Sequence, residues 1–466
     1  MLFDPTQHAL LSADDACASM FGVPGLRELL ENCIDSANAR EKRRRSLPAI
    51  LVFVLVLAMV VHRSKSIPNV MVTIAAGLRR TFPDLPLKPV TAEALLHARS
   101  RLGAEPLKLL FAHTSRQIRR KKTLAGRTLW AIDGTGLDVP DTPANEAEFG
   151  RPTASRGRSA FPQLQLVVLQ AVATREIRAF VVQKCDDPEQ EAGWKLLDNL
   201  GPGDLLLVDR GFASGALLYE CKRRGIDVLM RIKKNFKPFL RRNLAEGDDL
   251  VELVVNPPKW APEIPKRQRV RGRLITYRFG KEGEIVRLVT TLRPEEATAL
   301  ELALGYHLRW EIELGFDEIK THLATTTHGV LRCAFRGKRP ELVQQEVFAL
   351  MAAYNLIRGL MADAASAAGL DPLNISFVDT VEVLRLSFQA FLAADPLERP
   401  ELHKRLLQDI ADCRNRRPRR GRRAKRCKKV KMCSWPVKKP NDRSQRVDFR
   451  KHLRLVDCPS GLRSVA

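Results

Sequence analysis

The sequence has few of the features that mark membrane, secreted or disulfide-bonded proteins. Its most apolar run, AILVFVLVLAMVV at Ala49–Val61, is shorter than the roughly 20 residues that a transmembrane helix needs. The first residues, MLFDPTQHALLSADD, include early acidic residues and no basic stretch leading into an apolar core, so we expect no secretory signal. These features predict a cytoplasmic protein with no membrane partner, whose apolar run is a buried helix.

Cysteine spacing gives no disulfide framework. The nine cysteines are scattered without a CxxC pair, which is typical of a reducing compartment. Cys413, Cys427, Cys433 and Cys458 lie near the basic end of the chain, but their spacing matches no usual zinc module. We therefore expect free thiols.

Positive charge is abundant. The chain has 78 Lys and Arg against 53 Asp and Glu, a net charge of +25, and a 45% hydrophobic content that indicates a globular protein. The charge is concentrated in residues 39–45, 116–122 and 414–431, which favours nucleic acid as the partner. Pro418 and Gly421 interrupt the last run, so we predict an extended or disordered tail that adds affinity with little sequence preference.

The apolar pattern changes along the chain. The N-terminal part reads as helical, and it is either a DNA-facing module or a packing or dimerisation domain. From Thr128, short apolar runs separated by turns predict the order β-β-β-α-β-α-β and a mixed sheet flanked by helices. We predict four regions: a helical N-terminal domain (1–126), an α/β core (127–340) with a β-rich insertion at about 235–290, C-terminal helices packing on the core (341–405), and a basic tail (406–466).

Two aspartates follow apolar strands. Asp133 comes after LWAI and Asp209 after LLLV. Each aspartate begins a glycine-containing stretch, DGTG or DRGF, that we interpret as the end of the strand followed by a turn. Catalytic groups and ligands commonly occupy strand ends in α/β sheets, so the two carboxylates could share a cation. The alternative is that each aspartate simply forms a turn.

The stretch YHLRWEIELGFDEIKTHL at 306–323 is predicted to be one amphipathic helix. At about 100° per residue, its polar side chains project within roughly 80° of one another; these are Tyr306, Arg309, Glu313, Asp317 and Lys320. One interpretation is a solvated face with charge pairs at neighbouring-turn spacing. The other is that the helix supplies a third carboxylate to the two aspartates.

Three carboxylates would suit Mg²⁺, which prefers a few acidic ligands together with water and phosphate oxygens. Two such ions can activate an attacking hydroxyl and stabilise the leaving oxygen in a phosphodiester displacement. Arg309 and Lys320 would then bind DNA phosphates beside the ions. Periodicity alone does not choose between Glu313 and Asp317 as the third ligand.

At these motifs the sequence resembles the DDE transposases of the insertion-sequence-four family. The resemblance rests on AIDGT around Asp133, on VDRGF around Asp209, and on the family's signature Y, two residues, R, three residues, E, six residues, K. Tyr306, Arg309, Glu313 and Lys320 have that spacing. The apolar helix near Ala49, the AAYNLIR segment and the basic tail are also similar to that family.

The resemblance implies a function and assigns roles to residues. It implies a bacterial cut-and-paste transposase with an RNase H-like core, acting on terminal inverted repeats and target DNA as a homodimer in the DNA complex. Asp133, Asp209 and Glu313 would be the catalytic and metal-binding triad, with two Mg²⁺ ions that Mn²⁺ could replace. The expected DNA-binding residues are Tyr306, Arg309, Lys320, Arg210 and Lys233.

Other functions remain open from sequence. A non-catalytic DNA-binding or nucleoid protein would also have this charge, and a repair or RNA-cleaving nuclease could use the same carboxylates. Members of the family flip a base with an aromatic residue from the insertion; Trp260 is a candidate, but core packing or an exposed loop is the favoured interpretation of this residue. The resemblance alone suggests a hairpin intermediate.

Overall fold

The computed structural model describes most of the chain. It covers residues 21–43, 47–63, 65–81, 90–154, 157–279, 283–323, 335–395 and 397–415, with short pieces at 422–423, 445–446, 449–457 and 463–464. Most of the basic tail lies outside the described residues, as do Cys427, Cys433 and Cys458. The predictions about the tail and the cysteine cluster therefore stay predictions, whereas Cys413 is described as a free thiol.

Helices form most of the described chain before residue 117 and between residues 340 and 412. Hydroxyl side chains begin several of them; Ser214, Thr298 and Ser376 each accept a hydrogen bond from a first-turn backbone N–H. The helices are α1 (Leu26–Ser36), α2 (Ala49–Val61), α3 (Ile67–Thr81), α4 (Ala92–Leu102), α5 (Glu105–Arg116), α6 (Pro143–Phe149), α7 (Glu189–Leu196), α8 (Gly215–Arg223), α9 (Ala299–Tyr306), α10 (Trp310–Asp317), α11 (Pro340–Ala367), α12 (Phe377–Ala393), α13 (Arg399–Asp412) and α14 (Phe449–His452).

Strands dominate the middle of the chain, where the short apolar runs predicted them. The order β-β-β-α-β-α-β is observed in the predicted core, with the short α6 and the short strands β3 and β4 as additions that the sequence pattern did not reveal. The short strand β1, just before this core, was not revealed either. The strands are β1 (Lys122–Leu124), β2 (Arg127–Asp138), β3 (Thr153–Ala154), β4 (Gly157–Arg158), β5 (Gln163–Ala171), β6 (Ile177–Lys184), β7 (Asp204–Val208), β8 (Asp227–Arg231), β9 (Phe239–Ala245), β10 (Asp248–Val254), β11 (Arg269–Phe279), β12 (Ile285–Thr290), β13 (Arg422–Arg423), β14 (Gln445–Arg446), β15 (Leu453–Leu455) and β16 (Arg463–Ser464).

The described residues form two compact units that are not contiguous in sequence. The first unit draws on Met1–Lys121, Trp130–Asn199 and Trp310–Arg414, and the second on Lys122–Leu129, Leu200–Arg309 and Asn415–Ala466. The division into four consecutive regions stays a prediction.

In the first unit, helices surround an apolar centre. Every residue of α2 is buried, as its uniformly apolar sequence predicts, and α2 contacts α1, α3, α4 and α11. Helix α11 is long and apolar enough to cross a membrane by length and composition alone, but 78% of its apolar window is buried in protein. Such burial is typical of a core helix.

The first unit also contains the antiparallel strands β6, β5 and β2, in that order. The register pairs Asp133 with Val168, and Val168 with Phe180. Helix α7 contacts β5 and β6, and α6 contacts the same two strands. The sheet is therefore flanked by helices, as predicted.

The second unit is built on β7 and β8, which are parallel. The predicted β-rich insertion is present as β9 to β12, an antiparallel series in which β12 pairs with β8. The insertion thus extends the existing sheet. All five residues of β7 are buried, which agrees with the prediction that continuous apolar runs form strands covered on both faces.

Strand β2 is common to both units, because its first residues belong to the second and the rest to the first. The described strands are antiparallel in β6-β5-β2 and parallel in β7-β8, so the sheet is mixed and carries helices on its strands. The predicted fold class is therefore confirmed.

Candidate active site

Asp133 lies inside a strand, which corrects the expectation that it ends one. Strand β2 continues through the whole of DGTG to Asp138, so no turn follows Asp133. The backbone can stay extended because each residue from Trp130 to Asp138 has a partner in β5. The Asp133 carboxylate is half-buried, and its Oδ1 accepts a hydrogen bond from Gly134 N at 2.9 Å.

The glycines of DGTG face away from Asp133, because successive strand residues point to opposite faces. A Cβ placed on Gly134 would come within 2.6 Å of the Glu189 carboxylate, and one on Gly136 within 3.3 Å of Gln163 Oε1. Gly134 therefore allows the close approach of Glu189, at the first position of α7. Asp133 and Thr135 share the other face of β2.

Asp209 lies where the sequence predicted it, directly after β7 and outside the strand. Its half-buried carboxylate accepts a hydrogen bond from Gly211 N at 2.6 Å, and α8 begins four residues after Gly211. The turn of DRGF therefore has a backbone N–H directed at the aspartate. This geometry agrees with the interpretation of DRGF as a strand end followed by a turn.

The stretch 306–323 is not one helix. Helix α9 ends at Tyr306, a 3₁₀ turn covers His307–Arg309, α10 covers Trp310–Asp317, and a π-helical segment covers Glu318–Leu323. A constant 100° per residue therefore does not hold across the stretch, which changes which side chains share a face. We call Glu318–Leu323 the π segment.

Two contacts show which face of the first unit's sheet holds α10 and the π segment. A Cβ placed on Gly315 would come within 2.2 Å of Gln170 Nε2, so α10 packs tightly on β5 there. Lys320 Nζ donates to Thr135 Oγ1 at 3.0 Å. Register places Gln170 opposite Ala131, on the face that carries both Asp133 and Thr135.

Asp133 lies between these two contact points along β2. The contacts are made at the Ala131 and Thr135 rows, and Asp133 occupies the row between them on the same face. Glu313 and Asp317, both half-buried, are on the helix that makes the first contact. Helix α10, which carries Glu313 and Asp317, thus packs over the face of the sheet that carries Asp133.

Tyr306 is deeply placed in the second unit. Its side chain is 7% exposed, and its hydroxyl donates to the carbonyl of Val208, the residue before Asp209, at 3.3 Å. Burial raises the pKa of Tyr306 to about 12, with Arg309 and Arg231 acting in the opposite direction. Burial also lowers the pKa of the neighbouring His307 to about 4, so this imidazole is neutral at neutral pH.

The other predicted DNA-binding residues of the second unit are at its surface. Arg210 and Lys233 are exposed, after β7 and β8 respectively, and Arg309 is half-buried in the 3₁₀ turn. Trp260 is half-buried in the β10–β11 connection, with an indole Nε1 that is buried and has no hydrogen-bond partner among the described residues. These positions leave the DNA-binding assignments as predictions.

A buried ionic network beside Glu313 was missed by the sequence reasoning. Its members are Arg175, Glu311, Glu318, Tyr354 and Arg358, all inaccessible or nearly so. A signal was available, because Glu311 and Glu318 are seven residues apart and each precedes an isoleucine of the apolar stripe. Acidic residues repeating beside an apolar stripe are candidates for buried pairs rather than a solvated face.

The candidate ligands for a metal are half-buried carboxylates. Within the residues that the structure describes, no group of three or more His, Cys, Asp and Glu forms a metal-binding cluster. The donor chemistry nevertheless fits a hard cation, because Asp133, Asp209 and Glu313 offer oxygens that are neither fully buried nor fully exposed. The triad stays a prediction.

Known families match most of the chain. Residues 124–356 match the family described as Transposase DDE domain, and residues 25–112 match Insertion element 4 transposase N-terminal. The chain is 28% identical over 390 residues to the transposase InsG for insertion sequence element IS4 of Escherichia coli (strain K12), covering 81% of this chain and 85% of the relative. It is 24% identical over 229 residues to the putative transposase InsZ of the same organism, covering 48% and 73%.

A solved structure is also similar, that of the piggyBac transposase synaptic complex with hairpin DNA. The identity is 12%, the TM-score is 0.42, and the match covers 91% of this chain and 90% of the other. The family matches define the class of protein as a transposase with a DDE domain, an enzyme of DNA cleavage and strand transfer. The chain belongs to the insertion-sequence-four family of DDE transposases.

Proposed function

We propose that this chain is a cut-and-paste transposase that cleaves DNA at the terminal inverted repeats of its own insertion sequence and joins the ends to target DNA. Asp133, Asp209 and Glu313 are its catalytic carboxylates. The observation that supports this most strongly is the packing of α10 over the sheet face that carries Asp133, through Gly315 on Gln170 and Lys320 on Thr135.

The three carboxylates would hold Mg²⁺, with Mn²⁺ able to replace it. When bound, two such ions activate an attacking hydroxyl and stabilise the leaving oxygen of a phosphodiester. The protein contributes by holding the carboxylate oxygens of these residues in place. Gly134 N holds one oxygen of Asp133 and Gly211 N holds one oxygen of Asp209, which orients each carboxylate before DNA binds.

Positive side chains near these carboxylates would hold the DNA. Arg210 and Lys233 are exposed and can reach phosphates from the second unit, together with Arg309. In the first unit, Lys320 is fixed by Thr135 two residues from Asp133, which suits a phosphate beside the scissile bond. Tyr306 reaches the DNA backbone in this proposal only if its hydroxyl leaves the Val208 carbonyl.

Two displacements follow from this arrangement. Water attacks the phosphodiester at the element end, and the 3′-hydroxyl that is released then attacks target DNA. Both are in-line reactions that one set of carboxylates can serve, so no covalent protein intermediate is needed. We propose that two copies pair the two ends, and that the protein works in the bacterial cytoplasm on nucleoid DNA.

The choice of Glu313 over Asp317 is the sharpest test of the triad. Both are half-buried on α10, four residues apart, and Asp317 Oδ1 accepts a hydrogen bond from Thr321 Oγ1 at 2.8 Å. We expect Glu313→Gln to reduce Mg²⁺-dependent cleavage of end-containing DNA by on the order of 10³, because removing a ligand charge costs several kcal/mol. Asp317→Asn is the matched control and should keep near-normal cleavage.

Binding of the same DNA should change little in either variant, since dispersed Lys and Arg contacts supply most of the affinity. An inactive Asp317→Asn protein beside an active Glu313→Gln protein would refute the helix assignment. Cleavage that is equally fast on DNA without the inverted repeats would indicate a general nuclease. Tight binding without any cleavage by the unaltered protein would indicate a DNA-binding protein instead.

A further inference from the structure

The buried network beside Glu313 joins four elements of the first unit. Arg175 lies in the β5–β6 turn, Glu311 and Glu318 belong to α10 and the π segment, and Tyr354 and Arg358 belong to α11. Glu311 and Glu318 are 3% and 7% exposed, and Arg358 is 1% exposed. Two arginines and two glutamates balance in charge, as buried ionic groups require.

Arg175 connects the two glutamates. Its Nε and Nη2 donate to Glu311 Oε2 at 2.9 and 2.6 Å, and its Nη1 donates to Glu318 Oε1. Arg358 and Tyr354 complete the set from the other side, both donating to Glu318 Oε2, the tyrosine at 2.9 Å. One oxygen of Glu318 is thus bonded to the β5–β6 turn and the other to α11.

The backbone of Arg175 is unusual. Its φ of 63° is in the left-handed region, which few residues other than glycine adopt. The turn around it is held by Arg175 N donating to the Ala171 carbonyl at 2.8 Å and by Gln170 Nε2 donating to the Arg175 carbonyl at 2.7 Å. Such a conformation persists where the surrounding structure requires it, and here it directs the guanidinium at two glutamates.

The network flanks the groups that carry the proposed chemistry. Glu311 is two residues before Glu313, and Glu318 is two residues before Lys320. At the far end of the π segment, the buried Arg63 donates through Nε to the carbonyl of Leu323 at 3.1 Å. The stretch from α10 through the π segment is therefore held at three points, Glu311, Glu318 and Leu323. Glu313 and Lys320 lie between these points and remain partly accessible.

We propose that Arg175, bridging Glu311 and Glu318, is a positioning residue that sets the rotation of α10 and the π segment and thereby fixes the Glu313 carboxylate for the divalent cation. This rests on the proposed function of Glu313. Tyr354 and Arg358 support the same position by holding Glu318. Nothing in the proposal requires any of these buried residues to contact DNA or the cation.

Arg175→Lys tests the proposal because it keeps the positive charge and removes the guanidinium that donates to Glu311 and Glu318 at once. A lysine ammonium is a compact point charge and cannot reproduce the arginine's planar set of bonds to two carboxylates. Tyr354→Phe is the milder second variant, since it deletes only the hydroxyl bonded to Glu318. The matched control is Arg273→Lys, which alters a buried arginine in the second unit that donates to both oxygens of Asp248 at 2.8 and 2.6 Å.

Mn²⁺ binding is measured by electron paramagnetic resonance on the full-length protein bound to end DNA whose scissile linkage resists hydrolysis, and cleavage of ordinary end DNA is measured separately against Mg²⁺ concentration. We expect Arg175→Lys to weaken Mn²⁺ binding about 10-fold and to raise the half-saturating Mg²⁺ concentration in parallel, the range seen when groups behind metal ligands are changed. Tyr354→Phe should show a smaller shift in the same direction. Arg273→Lys should leave Mn²⁺ affinity unchanged, even where its melting temperature falls equally.

Unchanged Mn²⁺ affinity in Arg175→Lys and Tyr354→Phe, with Glu313→Gln strongly weakened, would overturn the positioning role and leave the triad intact. A Glu313→Gln protein with the Mn²⁺ affinity of the unaltered protein would overturn the proposed function, and the positioning role with it. If Arg175→Lys does not fold, Tyr354→Phe decides between these outcomes. DNA affinity within about twofold in all variants would exclude a general loss of the DNA complex.

Discussion

Two short motifs, DGTG at Asp133 and DRGF at Asp209, look alike in sequence and differ in structure. In DGTG the backbone stays extended, and Gly134 lies against Glu189 on the face opposite Asp133. In DRGF the strand has ended, and Gly211 donates its N–H to the Asp209 carboxylate at 2.6 Å. A glycine N–H donates to the aspartate in both motifs, but the missing Cβ leaves room for Glu189 of α7 in DGTG and for the aspartate itself in DRGF.

A glycine beside a candidate catalytic aspartate can therefore act on the fold or on the site. A Cβ on Gly134 would meet the far end of the Glu189 side chain, so the absence of that Cβ concerns packing. The atoms nearest to a Cβ on Gly211 all belong to Asp209, so the absence of that Cβ concerns the aspartate itself. Substitutions at the two motifs should separate these roles.

The largest effect on cleavage is expected from substitution of the aspartates, which both motifs share. Asp133→Asn and Asp209→Asn should each reduce Mg²⁺-dependent cleavage by on the order of 10³, because each loses the charge that holds the cation. Cleavage of end-containing DNA and binding of the same DNA are measured together. Asp138→Asn, at the end of the same strand as Asp133, is the control and should keep its activity; strong cleavage by either motif variant would remove that residue from the triad.

An intermediate effect is expected for Gly211→Ala. The new Cβ would lie 2.9 Å from Asp209 Oδ1, so the carboxylate must shift away from the Gly211 N–H. Cleavage should fall about 10- to 100-fold, since displacement of a catalytic group by about 1 Å can have that cost. Thermal melting should change little, because the contacted atom is the end of a half-buried side chain. A large loss of stability with normal cleavage per folded molecule would contradict the role given to Gly211.

The smallest effect is expected for Gly134→Ala, and it should appear in stability. The Cβ would lie 2.6 Å from Glu189 Oε1, which accepts a hydrogen bond from Gln165 Nε2 at 2.8 Å, so the glutamate must turn and lose that bond. We expect the free energy of unfolding to fall by about 1 kcal/mol with cleavage nearly normal. Adding Glu189→Ala should restore part of the loss, and Gly136→Ala, with its nearest atom at 3.3 Å, should be tolerated better.

Failure of this rescue would show that Gly134 is needed for something other than room for Glu189. If Gly134→Ala reduces activity more than stability, Gly134 is likewise needed for something other than room for Glu189. In that case both glycines would act on the catalytic site. Urea or thermal unfolding of the single and double variants shows whether the two stability losses simply add, which means no rescue, or partly cancel.

Much of the fold was predictable because local patterns carried it. The uniformly apolar α2, the succession of helices and strands along the core and the β-rich insertion all followed from apolar periodicity and turn residues. The short α6 was not predictable in this way, since its seven residues, PANEAEF, show no clear apolar repeat. The pairing of β12 with β8 was also beyond the sequence, because strand pairing joins residues far apart in the chain.

The candidate site was predictable in its residues and less so in its geometry. The spacing of Tyr306, Arg309, Glu313 and Lys320 indicated the family, yet the helix assumed for them is divided by a 3₁₀ turn and a π segment. Tyr306 was expected at DNA and is buried against Val208. Glu311 and Glu318 were passed over, because their partners Arg175 and Arg358 come from distant parts of the sequence.

The class of protein, the acidic residues that could carry its chemistry and most helices and strands follow from the sequence, since these depend on residue type and on neighbours within a few positions. Tertiary structure alone decided which face of β2 holds α10, where the 306–323 stretch changes its helical type, and which charges are buried together. Those features arise from contacts such as Lys320 with Thr135 and Arg175 with Glu311, which lie more than 100 residues apart along the chain. Local pattern has no access to contacts of that range, because their energy depends on packing that exists only in the folded protein.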